Sequence, residues 1–281
     1  MRRYQYLIGN LIFDVEAEGA FTPAEDTIFR TGVKQAFDLQ KKKIQVFCGI
    51  DASISVPDNV GCSEIAFYRG KDQYDIYLKD AKNRLSHIIH GDQWFQSVQI
   101  TSSFAQKLPF EGSAGEVLFR TAILFHHGIV AHAAAINYQG SGIIFSAPSG
   151  VGKSTQANLW KRYKGAAVLN GDRPALRVID GAVYVYGTLG SGTWPDFQPA
   201  RAPLKASVML EQAEHNSVEL LPPDRAVQSF LPRCYLPFGL VDLLGRAMDI
   251  AGSIIKKVPV LLLKCRPDHQ AVELVSQWLN I

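Results

Sequence analysis

A chain of 281 residues that is 47% hydrophobic can bury at least one full core, which excludes disorder and allows one large domain or two modest ones. The formal charge of +3, from 29 basic and 26 acidic residues, is small and dispersed, so nucleic acid is not an expected partner. No apolar run reaches the roughly 20 residues that span a bilayer, so no membrane partner is expected either.

The start of the chain, residues 1–6, lacks the apolar stretch of a signal peptide. The first 110 residues read as short strands over 4–15, 44–50, 64–68, 74–78, 84–89 and 96–100, separated by turn residues, with weak helical periodicity. A small antiparallel β-rich N-terminal region is therefore expected over 1–110, without a chemistry-bearing motif. At Ser113 the pattern changes: Val117, Leu118, Ala122, Ile123, Leu124 and Phe125 predict a helix that ends at His126-His127-Gly128. From there a strand over 129–137, a turn, a strand over 142–146, a glycine-rich loop, a helix over 154–163 and strands over 166–169, 175–178 and 183–186 predict an α/β catalytic domain over 111–281. Strands over 204–210, 217–221 and 258–264, with helices near 224–230, 239–255 and 268–279, complete it. The four cysteines, Cys48, Cys62, Cys234 and Cys265, form no CxxC pair or Cys/His set. They point to neither a disulfide framework nor a zinc site, and a reducing, cytoplasmic setting fits them.

The loop Ala147-Pro148-Ser149-Gly150-Val151-Gly152-Lys153-Ser154-Thr155 follows the G-x-x-x-x-G-K-[ST] pattern between a strand and a helix, with Ala147 at the first glycine position. Gly150 and Gly152 allow backbone angles that turn several amide N–H groups toward one point, and the helix beginning near Ser154 adds its positive end. Such a concavity suits phosphate. Ser149, Gly150, Val151, Gly152, Lys153, Ser154 and Thr155 are the expected nucleotide contacts; Lys153 can reach the β and γ oxygens of ATP, and Ser154 can offer its hydroxyl to Mg²⁺.

Asp172 lies nineteen residues after Lys153. A helix, the Lys164-Gly165 turn and the strand over 166–169 are expected to return the chain alongside the loop's own strand, so that residues 170–173 emerge beside the phosphates. Asp172 can then hold Mg²⁺ or take a proton from an attacking hydroxyl; the other reading is an aspartate in an ordinary Gly-Asp turn. No N-K-x-D sequence and no hydrophobic run ending in adjacent acids is present, which disfavours switch GTPases and motor ATPases. If the hairpin around Tyr138-Gln139-Gly140-Ser141 is tight, paired residue numbers sum to 279 and His132 faces Ala147. There His132 can donate to a phosphate oxygen or act as acid or base, unless it merely packs among its neighbouring alanines. A metal site of His126, His127 and His132 is disfavoured, because no carboxylate or cysteine joins them. Residues 186–194 form a second glycine-rich stretch, either a lid over the nucleotide or a surface loop, while Arg201, Lys205 and Arg233 are looser candidates for phosphate contact.

The stretch His132 to Arg173 resembles the catalytic domain of HPr kinase/phosphorylase, whose nucleotide fold is shared with ATP-dependent phosphoenolpyruvate carboxykinase. The matching features are His132, the hairpin turn at Tyr138 to Ser141, the loop Ala147 to Ser154, and Gly171-Asp172 in place of an acidic pair. The resemblance covers roughly residues 115–281 and implies a P-loop-containing HPr kinase/phosphoenolpyruvate carboxykinase-like α/β core. The glycine- and arginine-rich loop of true HPr kinases is not found in the later half. The segments Tyr186-Gly187-Thr188, Ser191-Gly192 and Pro203 to Gln212 look like a divergent branch found among peptide-modifying enzymes, which includes kinases of lasso-peptide precursors. This implies an ATP- and Mg²⁺-dependent serine kinase in which Lys153 neutralises the phosphoryl group, Ser154 and Asp172 position the metal, and Asp172 or His132 accepts the serine proton. The acceptor is a peptide, or in the alternative a small molecule such as free serine; a nucleotide-binding subunit without transfer activity is the third reading. A homo-oligomer is compatible with all three.

Overall fold

The computed structural model describes residues 2–18, 42–55, 64–103, 110, 112–189 and 197–281. The chain divides into two compact units, Met1–Phe125 with Pro237–Leu244 and His126–Leu236 with Gly245–Ile281.

In the first unit the strands are Arg2–Ile8 (β1), Leu11–Ala17 (β2), Lys42–Ile50 (β3), Ile65–Arg69 (β4), Gln73–Lys79 (β5), Leu85–Asp92 (β6) and Ser97–Ser102 (β7). They form one sheet in the order β1-β2-β3-β7-β6-β5-β4. The strand expected over 4–15 is a hairpin instead. Gly9 and Asn10 both take positive φ, +59° and +62°, the two-residue turn whose twist suits a tight hairpin, and Ile8 pairs with Leu11. The sheet is also mixed rather than antiparallel, because β3 runs parallel to both β2 and β7; the connection from Ala17 to Lys42 is long enough for the crossover a parallel pair requires. One face is apolar by period-two alternation, with Leu11, Phe13 and Val15 buried on β2 and Tyr74, Ile76 and Leu78 on β5. The helix α1, Ser113–Ala122, belongs to this unit and sets Phe119 edge-on to Phe13, 6.2 Å between ring centroids.

The second unit begins with Gly128–Val130 (β8), Ala133–Tyr138 (β9) and Ser141–Ser146 (β10), followed by helix Lys153–Lys164 (α2). Ala167–Asn170 (β11), Ala175–Ile179 (β12), Ala182–Tyr186 (β13), Arg201–Gln212 (β14) and Ser217–Leu220 (β15) come next. Then come Pro223–Phe230 (α3), Val241–Lys257 (α4, which starts in the first unit), Val260–Cys265 (β16) and His269–Leu279 (α5). The strand order is β11-β9-β10-β14-β13-β12-β8, with β16 pairing β14 and β15.

The β9–β10 hairpin has the expected register, from Ser141 opposite Tyr138 to Ser146 opposite Ala133, closed by Gln139 and Gly140 at positive φ. Two expectations change. The strand predicted over 129–137 is broken at Ala131-His132: the N–H of Ala131 goes to the Pro174 carbonyl and that of His132 to the Arg233 carbonyl, so β8 pairs β12 while β9 pairs β10 and β11. The return strand β11 lies beside β9, not beside β10. Both β10 and β11 are antiparallel to β9, so they run in the same direction and end at the same edge, about 10 Å apart at two strand spacings.

The core of this unit joins Ile136, Ile143, Phe145, Val208, Leu261 and Leu263 of the strands to Ala157 and Trp160 of α2 and Val272 and Val275 of α5. Trp160 is fully buried, 5.6 Å from the Tyr138 ring and 6.2 Å from that of Phe145. This packing fixes α2, and with it the loop before it.

Candidate functional site

Between β10 and α2 the chain makes its phosphate-type loop. Gly150 has φ +81° and Gly152, the N-terminal cap of α2, has φ +124°; both angles suit glycine and turn successive amides to one side. The concavity is open: a Cβ on Gly150 would meet nothing within 4 Å, and one on Gly152 only Thr155 Cβ at 4.0 Å. Ser149, Gly150 and Thr155 are exposed, whereas Val151, Gly152 and Ser154 are half-buried.

Lys153 is buried at 8% exposure, and its Nζ donates to the carbonyls of Ala147 and Pro148, at 3.2 and 3.4 Å. The ammonium is therefore folded back across the loop. Burial pushes it below the ordinary lysine value, Asp172 pulls it up, and Arg233 pushes it down.

His132 and Asp172 come together at the same edge. His132 Nε2 lies 3.2 Å from Asp172 Oδ1, and Arg173 Nε lies 3.1 Å from Oδ2. His132 leads β9, and its carbonyl accepts the Ser146 hydroxyl at 2.7 Å, which ties it to the last residue of β10. The Ala133 N–H goes to the Asp172 carbonyl, so the turn after β11 is bonded to the strand that carries His132. Burial first and Lys153 second hold the His132 imidazolium below the ordinary value, against the pull of Asp172; Arg173 and Arg233 add to the lowering. A neutral imidazole beside a carboxylate can accept a proton.

The remaining candidates separate. Arg233 is at the site through its charge on His132 and Lys153. Arg201 instead bonds the Tyr186 hydroxyl and stacks over Tyr184, and Lys205 sits exposed next to Leu204, which pairs with Gly142 at the far end of β10 from the loop. Among the described residues no group of His, Cys, Asp and Glu forms a metal site; His126 turns inward, its backbone carbonyl accepting from Arg177. Of the second glycine-rich stretch, residues 190–194 lie outside the described residues, as does Cys62.

Sequence reasoning missed Asn170, Arg173 and Thr188. Asn170 and Thr188 are both buried, and the Asn170 amide bonds the backbone of Asp172, Arg173 and Thr188. Asn two residues before Asp at a strand end is a signal for a side-chain-closed turn; Thr188 carries no such signal.

No protein-family model matches the chain, and no curated protein matches it. Among solved structures 59 chains match. One is the Hpr(Ser) kinase/phosphatase from Coxiella burnetii, 14% identical, with the match covering 53% of this chain and 95% of that one at a TM-score of 0.31. A score that low does not carry the fold, which rests on the strand order above.

Proposed function

We propose that the protein is an ATP- and Mg²⁺-dependent kinase that transfers the γ-phosphoryl group to a serine hydroxyl of a peptide such as a lasso-peptide precursor. The observation that carries this reading is the His132–Asp172 pair, 3.2 Å apart, at the sheet edge where the glycine loop and Lys153 emerge.

The residues fit a triphosphate: the loop is open above Gly150 and Gly152, and Lys153 holds its ammonium on loop carbonyls from which it can turn to phosphate oxygens. Ser154 at the start of α2 and the Asp172 carboxylate would be the oxygen donors for the cation, which when bound would supply charge neutralisation at the phosphates. Asp172 or His132 takes the proton from the serine Oγ. The new bond joins that oxygen to the γ phosphorus, the bond to the β,γ-bridging oxygen breaks, and ADP leaves. Arg173 and Arg233 keep the pocket cationic as charge develops on the transferred group.

Mass spectrometry of serine-containing peptides and of free serine, incubated with the protein, ATP and Mg²⁺, tests this. A gain of one phosphate on a peptide serine is the expected result; labelling of free serine alone selects the small-molecule acceptor, and nucleotide binding without any labelling defeats the kinase reading. One observation favours that last outcome as a second reading: glycine stands at 171, where the resemblance implies an acid.

A further inference from the structure

We propose that Asn170 and Thr188 are positioning residues for Asp172: their buried side chains lock the 170–173 turn and so aim the Asp172 carboxylate. This rests on the role given to Asp172 above.

The β11 strand carries an irregularity, since Val168 pairs with Ile136 but Asn170 pairs with Ala135, the next residue along β9. Leu169 is the extra residue. A bulge re-aims the side chain that follows it, and Asn170 is wholly buried. Its Oδ1 accepts the backbone N–H groups of Asp172 at 2.9 Å and Arg173 at 2.6 Å. Its Nδ2 donates to the Thr188 carbonyl at 3.0 Å and the Thr188 hydroxyl at 3.2 Å. That hydroxyl donates in turn to the Arg173 carbonyl at 2.6 Å.

The bonds close a ring around the backbone of Asp172. Every donor and acceptor position of the Asn170 amide is used, and a fully satisfied buried network of this kind rigidifies what it encloses. Thr188 is held independently. Gly187 before it has no room for a side chain, because a Cβ would lie 1.8 Å from the Gln198 carbonyl oxygen and 2.6 Å from that of Leu169. The Gln198 N–H bonds the Leu169 carbonyl. Thr188 thus reaches Asn170 from a segment clamped to the end of the same strand.

Thr188→Val keeps the shape and removes the hydroxyl; Thr188→Ser keeps the hydroxyl. Amide hydrogen exchange of the full chain tests the lock directly. Thr188→Val is expected to speed exchange at Asp172 and Arg173 by roughly tenfold, the worth of one hydrogen bond, while the amides of Ile136 and Phe145 stay protected and Thr188→Ser matches the parent. Unchanged exchange at Asp172 and Arg173, or equal loss across β9 and β10, overturns the proposal.

Calorimetry with ATP, in the presence and absence of Mg²⁺, then asks whether the lock acts through Asp172. Thr188→Val should lose most of the affinity gained from Mg²⁺, Asp172→Asn should lose the same amount, and the double variant should lose no more than either. A further loss in the double variant overturns the positioning role. If the parent protein gains no affinity from Mg²⁺, the metal role of Asp172 fails while the exchange result still decides the lock.

Discussion

At the scale of single residues, the site combines one carboxylate with an unusually cationic surrounding: Asp172 faces His132 and Arg173 directly and Lys153 at longer range. Asp172→Asn should therefore leave the Mg²⁺-independent part of nucleotide binding to the loop amides and Lys153 while slowing transfer by about 10²- to 10⁴-fold, the usual cost of losing a general base. Measured at saturating ATP and Mg²⁺, the loss should appear in kcat; near-normal transfer would move the base to His132. Lys153 is less simple than its motif suggests, because it is buried and bonded to two loop carbonyls. Lys153→Ala should abolish transfer and also lower stability by about 1 kcal/mol, the scale of a lost hydrogen bond, visible in urea denaturation. For His132 the sign of the pH effect follows from its lowered pKa: the unfolded chain, near 6.5, binds the proton more readily than the folded one. Its contribution to stability is then complete above 6.5 and is lost as the pH falls through the depressed folded value. Thermal denaturation at stepped pH should show a shallower acid loss in His132→Ala than in the parent, and an unchanged slope would place the titration elsewhere.

At the scale of elements, the site depends on how tightly two segments are set. α2 is anchored by Trp160 on Tyr138 and Phe145; truncating a buried tryptophan typically costs about 3–5 kcal/mol, so Trp160→Ala should lower the thermal midpoint and nucleotide affinity together, since Lys153 and Ser154 lie on the same helix. Two glycines nearby make a sharper contrast. Gly187→Ala drives a Cβ into two backbone carbonyls, neither of which can swing aside, and should cost about 3 kcal/mol, at the upper end of overpacking losses. Gly150→Ala meets open space and should cost only the roughly 1–2 kcal/mol of a left-handed non-glycine residue. Denaturation of the two variants side by side checks the order; if Gly150→Ala proved the worse, the loop's openness would be misjudged.

At the scale of the whole molecule, the chain leaves the second unit at Pro237 and re-enters it at Gly245. Within the first unit the excursion is bonded: the Tyr74 hydroxyl donates to Asp242, Arg69 lies 3.9 Å from the same carboxylate, and Gly239 sits against the Phe67 ring. Asp242→Ala should therefore lower the stability of the first unit by about 1 kcal/mol and leave nucleotide affinity unchanged, with calorimetric unfolding and ATP titration as the two measurements. A loss of affinity would mean that the excursion serves the nucleotide site as well.

Local chemistry determined what local chemistry can. The turn pair Gln139-Gly140 sets the β9–β10 register, and a tight two-residue hairpin fixes it, so the pairing from Ser141–Tyr138 to Ser146–Ala133 could be read from residue numbers alone. The loop from Gly150 to Ser154 was equally legible, because its backbone angles and its charge belong to consecutive residues. Partners distant in sequence were not. The break at Ala131-His132 exists because Pro174 and Arg233 supply carbonyls there, and β11 sits beside β9 rather than β10 because strand order is a choice among long-range pairings that no window of residues encodes. The Asn170–Thr188 ring was hidden by the same limit: an asparagine at a strand end announces a turn, but only the folded chain brings a threonine eighteen residues away to close it.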